Sequence, residues 1–322
     1  MNILVTGGTG FVGRHLVRRL LEDGGHRLHL LVRDAGRLAA CGFSGPLHVL
    51  RGDLFASEPL PDDIETVFHL AAATKVLADG EFTRVNVEGT RALLERLRPL
   101  PGLKRIVLLS SLAAAGPNRG RPALREEDPP EPISQYGRSK LAQERVVTGS
   151  GMAYVVVRAP IVFGPGDLDM LEAFRIAGRG VIPLLGRVQR RYSLIYVSDL
   201  ARAMMAAAFG PYSNELFYAA NPDAVEWRQL LELAAQLLGK GKPLALPIPV
   251  ALGRALAELS ELRIRVFGKR AIFNRDKFHE MKHPAWVCSA AKIDARLHFQ
   301  PRVPLAAALE ETIAWYREQG LL

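Results

Sequence analysis

Residues 2–25 read NILVTGGTGFVGRHLVRRLLEDGG, and this stretch decides the architecture. Ile3 to Thr6 forms a short apolar strand signal. Gly7, Gly8, Gly10 and Gly13 then crowd into one turn. From Phe11 to Glu22 the apolar residues recur at helical spacing until Gly24 and Gly25 end the run, giving a strand, a glycine turn and a helix.

The same alternation continues outward. Strand patterns fall at Leu28 to Val32, Leu47 to Leu50, Thr66 to Leu70, Arg105 to Leu109 and Tyr154 to Arg158, and helical patterns at Thr83 to Arg96 and Gln135 to Val147. Strands that alternate with helices lie parallel, so six of them predict an α/β fold, a doubly wound parallel (Rossmann) sheet. The proline- and charge-rich stretch Pro117 to Pro132 reads as a surface loop. Beyond Pro160 the regularity fades, and helices are expected at Asp199 to Phe209, Glu226 to Leu238, Val250 to Leu262 and Leu305 to Arg317. The expected division is a nucleotide-binding domain over 1–160 and a smaller, mainly helical substrate lobe over 161–322, with segments returning to the first domain.

A chain of 322 residues, 48% apolar and 23% charged, buries a full core without disulfides or metals. Cys41 and Cys288 lack metal-ligand spacing and read as free thiols; no metal is expected. The first residues pass straight into a strand without the regions of a signal peptide, so a cytoplasmic location is expected, with no membrane span. A net charge of +9 suits an anionic ligand, nucleic acid or a membrane surface. The basic residues are scattered and no block of five or six occurs, so no nucleic-acid partner is expected and the charge reads as solvated surface. The partner expected is a small-molecule substrate, with a homodimer left open.

Gly8, Gly10 and Gly13 fit G-x-G-x-x-G in the context that motif requires, between a strand and a helix. Glycines there turn the chain tightly and let its backbone approach a pyrophosphate at the helix N-terminus. Thr6, Gly7, Gly10, Phe11, Val12 and Gly13 are the expected contacts. At the end of the second strand, where an NAD site usually carries an acid, stands Arg33. A guanidinium there attracts a 2′-phosphate, with Arg37 assisting, which favours NADP; Asp34, one residue late, keeps NAD open. Asp53, before Leu54, is placed to accept a hydrogen bond from an adenine amino group or to cap a helix.

Tyr136 and Lys140 form Y-x-x-x-K, one turn apart on a helix. An ammonium beside a phenol favours the phenolate, which brings an otherwise weak acid-base group toward neutral pH and lets it exchange a proton with a carbinol or carbonyl. Ser111 or Ser110, at the end of the fifth strand, is placed to hold the substrate oxygen.

TGGTGFVG at 6–13, HLAA at 69–72, VNVEGT at 85–90, LLSSLAAAG at 108–116, YGRSK at 136–140 and RAPIVFGPGD at 158–167 together resemble successive motifs of the extended short-chain dehydrogenases/reductases, across the whole chain. The resemblance implies an NAD(P)-dependent enzyme. It selects Ser111 over Ser110 through the spacing to Gly116. It assigns Asn86, grouped with the catalytic residues, to positioning the cofactor or the active-site helix. Ala71 and Ala72 would line the cofactor pocket, and Pro160 to Val162 would lie beside the nicotinamide. His69, at a strand end, is expected to be structural.

The fold does not choose the reaction. Leu112 and Ala113 stand where related dehydratases carry acidic residues, which argues against a dehydratase. Arg190 and Arg191 precede Tyr196-Val197-Ser198-Asp199 in a register that fits diphosphate binding poorly. RRYSLIYVSDLARA at 190–203, EEDPPEPISQYGRSK at 126–140 and the C-terminal LHFQPRVPLAAALEETIAWYREQGLL are more similar to the dihydroflavonol-reductase and 3β-hydroxysteroid-dehydrogenase-like branch. The expected reaction interconverts a ketone or aldehyde and a secondary alcohol on a fairly apolar molecule. A nucleotide-sugar epimerase with tightly held NAD is the alternative, and a non-catalytic regulator is disfavoured by the complete Ser-Tyr-Lys set. The apolar run Leu244 to Leu259 is expected to wall a pocket or to pack in the core.

Overall fold

In the computed structural model, which describes residues 1–75, 80–267 and 275–322, the apolar strand runs lie in the middle of a three-layer sandwich. The first half runs β1 (Asn2–Thr6), α1 (Phe11–Asp23), β2 (Arg27–Val32), α2 (Ala35–Ala39), β3 (Leu47–Arg51), β4 (Thr66–His69), α3 (Gly89–Leu97), β5 (Arg105–Ser111), α4 (Gln135–Thr148) and β6 (Tyr154–Ala159). Ile3, Leu4 and Val5 are all fully buried, because helices cover both faces of the sheet.

The second half continues with β7 (Ile161–Phe163), α5 (Leu171–Gly178), β8 (Val181–Leu185), β9 (Arg191–Tyr192), β10 (Leu194–Tyr196), α6 (Val197–Phe209), β11 (Glu215–Tyr218), β12 (Val225–Glu226), α7 (Trp227–Leu237), β13 (Leu244–Ile248), α8 (Val250–Phe267), α9 (Arg275–Met281), β14 (Ala285–Trp286), α10 (Ala291–Leu297) and α11 (Leu305–Glu318). Short strands there pair as β7–β10, β12–β9–β14 and β8–β13. Phe174, Leu230, Leu309 and Tyr316, from α5, α7 and α11, fill a core of their own.

The main sheet has seven strands in the order β11-β6-β5-β4-β1-β2-β3, all parallel. Six strands were expected; the seventh is Glu215–Tyr218, too short and too isolated among turn residues to show a period. Leu16 and Leu20 of α1 pack with Leu200 and Met204 of α6 on one face, and Leu93, Leu97 and Val147 of α3 and α4 cover the other. β1 lies between β2 and β4, where the order of strands reverses, and Thr6 is in register with both Leu31 and His69. The crevice outside the carboxyl ends of strands at such a switch point is where open α/β sheets bind ligands.

Two expectations gain detail. The stretch Pro117 to Pro132 is a surface loop anchored from beneath: the buried Asn118 amide donates to Val287 O (2.9 Å) and accepts from Val287 N (2.7 Å), and Leu124 N donates to Val287 O (2.8 Å). The helix expected over Thr83 to Arg96 is present, beginning with a π-helical segment Thr83–Glu88 that runs on into α3.

Candidate active site

The glycine turn is built by contact distances. A Cβ at Gly13 would lie 2.1 Å from Gly7 O, and Gly7, at φ +74°, would bring one within 2.6 Å of Ala71 N. Thr6 ties this turn to the next strand, its hydroxyl bonded to His69 Nδ1 (2.7 Å) and accepting from Ala71 N (3.3 Å). Helix α1 begins at Gly10 with no side-chain cap and no acidic residue in its first turn, so its N–H groups and the positive end of its dipole face the crevice. That cradle fits a dinucleotide pyrophosphate. The loop after β7 closes against it: His15 Nε2 is bonded to Pro165 O (2.8 Å), and Phe11, Val12 and Val162 flank the same core.

Ser111 and Tyr136 meet. The Ser111 hydroxyl lies near enough to the phenol to favour its ionised form, and Ser111 Oγ accepts from Ala113 N (3.1 Å), capping a 3₁₀ turn over Leu112–Ala114. Gly137 makes the meeting sterically feasible, since a Cβ there would fall 2.3 Å from Ala113 O. Ser134 caps α4 by accepting from Gly137 N (3.0 Å), which fixes where the helix starts and so where Tyr136 points. Burial pushes the Tyr136 phenol up to about 12, the Ser111 hydroxyl opposing this in part. The Phe82 ring lies beside it, 5.9 Å between centroids.

Ser110 is differently employed. It is buried and donates to Glu144 Oε1, which is also held by Arg158 Nε (2.9 Å) while Arg158 Nη2 bonds Oε2 (2.7 Å). The geometry therefore supports Ser111 as the residue that touches substrate. We expect Ser111→Ala to lower turnover by about 10² with folding unchanged, the scale of a lost oxygen-binding donor. Ser110→Ala should instead lower the urea midpoint with a smaller change in turnover. Steady-state kinetics beside denaturation curves check this, and the reverse order would refute it.

Lys140 is buried and its ammonium donates to Leu109 O (2.8 Å) and to Gln143 Oε1. Burial lowers it to about 8, with Glu144 pulling the other way. In this arrangement the ammonium is engaged by a backbone carbonyl and an amide, and burial is the larger influence on the phenol. From Gln143 the chain continues through Thr90 Oγ1 (2.9 Å) to His69 Nε2 (2.8 Å from Thr90). Desolvation lowers His69 to about 3, so it is neutral and both its nitrogens are bonded, as a structural residue should be.

Asn86 sits in the π-helical segment, fully buried. Its Oδ1 accepts from Ala73 N (2.6 Å), and its Nδ2 donates to Ala73 O (3.0 Å) and to Ser139 Oγ (2.9 Å), which itself donates to Tyr136 O (2.8 Å). Asn86 thus clamps the loop after β4, carrying Ala71 and Ala72, to the first turn of α4. These bonds make it a positioning residue. A π-turn is a common way to aim one side chain at a functional site.

The remaining candidates lie along the sheet's carboxyl edge. Arg33 and Arg37 are exposed at the end of β2. Asp34 caps α2, its Oδ1 accepting from Gly36 N (2.9 Å) and Arg37 N (3.2 Å). Asp53 likewise caps its own turn, accepting from Phe55 N (2.9 Å) and Ala56 N (3.0 Å) with one oxygen. The Leu54 side chain is buried in the core with Leu93 and Leu94. Pro160 and Val162 follow β6, next to the α1 cradle. Missed in the sequence were Gln143 and Glu144. Their signal was two polar residues at i+3 and i+4 from Lys140 on the face α4 buries.

Residues 3–215 match the NAD dependent epimerase/dehydratase family. The chain belongs to that family. It is an extended short-chain dehydrogenase/reductase, and the resemblance read from its motifs holds over the whole chain. A ceramide reductase of Caulobacter vibrioides is 30% identical, over 99% of this chain and 96% of that protein. Sterol demethylase protein B of Methylococcus capsulatus is 29% identical over all of both chains. Among solved structures, MoeE5 in complex with UDP-glucuronic acid and NAD superimposes with a TM-score of 0.75 at 25% identity, covering 99% of this chain and 100% of that one. As a short-chain dehydrogenase/reductase the protein is an enzyme that uses a nicotinamide cofactor, and no helix among its described residues is long and apolar enough to cross a membrane.

Proposed function

We propose that the protein is a cytoplasmic NADPH-preferring carbonyl reductase, converting a ketone or aldehyde on an apolar, lipid-sized small molecule into a secondary alcohol. The observation that supports the reading is the approach of Ser111, at the end of β5, to Tyr136, in the first turn of α4. A carbonyl oxygen placed between them would accept from both hydroxyls. A nicotinamide dinucleotide held by the glycine turn at the start of α1 would, when bound, supply the hydride chemistry. Tyr136 delivers the proton to the carbonyl oxygen, Ser111 orients it, and Lys140 with Asn86 keep the helix and cofactor loop in place. Two relatives, a ceramide reductase and a sterol demethylase protein, support an apolar substrate.

The epimerase alternative requires a cation for a nucleotide diphosphate. Of the two candidates, Arg190 is buried and donates to Met281 O (2.7 Å) and Val188 O (2.9 Å), holding α9 to the lobe, while Arg191 in β9 is exposed. The engagement of Arg190 leaves one of the two free for a diphosphate, which supports the reductase over the epimerase. Loss of NADPH absorbance across a panel of long-chain ketones tests the reading; tightly retained NAD with no net oxidation or reduction would favour the epimerase.

NADPH preference follows from Arg33, exposed at the switch-point edge, together with Asp34, whose capping bonds engage the carboxylate that an NAD ribose would need. NADPH should bind at least about tenfold tighter than NADH, the scale of one charge-assisted contact. Arg33→Asp should erase or reverse the preference. Fluorescence titrations decide, and equal binding of the two cofactors in the parent would refute the assignment.

A further inference from the structure

The run Leu244 to Leu259, expected to wall a pocket or fill the core, leaves most of its large side chains exposed. Helix α8 turns its small residues inward. Ala257 is buried with Leu185 and Phe278, and a Cβ on Gly253 would lie 2.5 Å from Leu185 Cδ1, so the helix rests on β8 and α9 through its smallest side chains. Its large ones point out: Leu252, Leu256 and Leu259, at i, i+4 and i+7, are 51%, 47% and 56% exposed. Leu244 and Leu246, on one face of β13, are 66% and 49% exposed, and Val250 joins strand to helix at 46%. Gly186 at the end of β8 abuts Val250, which keeps these elements contiguous. Contiguous exposed apolar surface of this kind marks a docking site.

Charge identifies the occupant. Lys240, Lys242 and Arg254 are exposed among the leucines, and the Glu258 carboxylate beside them is held by Arg275, in a chain whose net charge is +9. A second copy would set this basic surface against itself. An anionic bilayer complements it in both respects, leucines entering the acyl boundary and cations meeting the headgroups. We propose that the β13–α8 face docks the protein on an anionic lipid surface, as a peripheral contact and not a span.

The placement also serves the active site. Asp276 at the start of α9 accepts from Gln135 N (2.8 Å), the residue before Tyr136, and the charge of Glu280 at the other end of α9 is felt at the Tyr136 phenol. The docked unit therefore abuts the first turn of the catalytic helix, which would bring Tyr136 near the lipid surface from which an apolar substrate is drawn. This loading role rests on the apolar-substrate reading, whereas docking stands on the surface alone.

The test is flotation of the full chain with phosphatidylglycerol/phosphatidylethanolamine vesicles and, in parallel, phosphatidylcholine vesicles. The parent should float with the anionic vesicles and far less with the neutral ones. L256Q and L259Q combined should weaken flotation by about tenfold or more, since each removes a leucine from the lipid boundary. L252Q alone should show a smaller loss, and retained cofactor binding verifies the fold of each variant. Parent protein that stays soluble with both vesicles, or variants that float like the parent, would overturn the proposal. So would a dimer in light scattering that L256Q dissociates while no flotation occurs, which would assign the face to a second copy. Flotation needs no substrate, so an empty ketone screen and a failed docking experiment remain separate results.

Discussion

In Tyr136→Phe, turnover should fall by about 10² to 10⁴ while cofactor still binds almost normally, because the ring and its contact with Phe82 survive and only the proton is lost. The pH dependence separates Tyr136 from Lys140. Burial raises the phenol to about 12, so it remains protonated throughout the neutral range and contributes no limb there. Lys140, lowered to about 8, is an ammonium below that pH and a neutral amine above it. As pH rises through about 8 the parent's kcat/KM for reduction should therefore fall, following loss of the Lys140 charge. A pH-rate profile beside a cofactor titration checks both statements. Full activity in Tyr136→Phe would remove catalysis from this helix and with it the reductase reading.

Much of this candidate site is legible in the sequence because its parts are local. The glycine turn announces itself through φ-permissive residues between a strand and a helix, and Tyr136 and Lys140 are one helical turn apart whatever surrounds them. What α4 presses against was not readable. Whether Lys140 tunes Tyr136 depends on where its ammonium points, and that is set by Leu109 O on another strand and by Gln143. Ser110 and Ser111 are chemically identical, and in the sequence only the resemblance, through the spacing to Gly116, tells them apart. The physical reason is that β5 alternates its side chains between faces, one toward Glu144 and one toward Tyr136. The seventh strand is legible only from its register with β6, as Glu215–Tyr218 has no period of its own. The run Leu244 to Leu259 misled because hydrophobicity normally predicts burial, and here Gly253 and Ala257 provide the packed face instead.

The largest stability effect is expected at the Glu144–Arg158 pair behind the site. Both side chains are about 5% exposed or less, the pair is bidentate, and Arg158 Nη1 also donates to the Tyr218 hydroxyl (3.1 Å). Arg158→Ala leaves a buried carboxylate with Ser110 as its remaining side-chain hydrogen-bond donor and should cost about 3–5 kcal/mol. That is a large part of the ~5–15 kcal/mol that holds a domain together. A shift of the urea midpoint at unchanged slope measures it. The double replacement Glu144→Leu with Arg158→Met should lose much less, because no unpaired charge is left behind. Glu144→Gln carries the argument into catalysis. Glu144 is the charge that holds the Lys140 pKa up against burial, so neutralising it lowers that pKa further below 8, and the alkaline limb of kcat/KM should move to lower pH. A purely structural Glu144 would lower the urea midpoint and leave the limb where it stands in the parent.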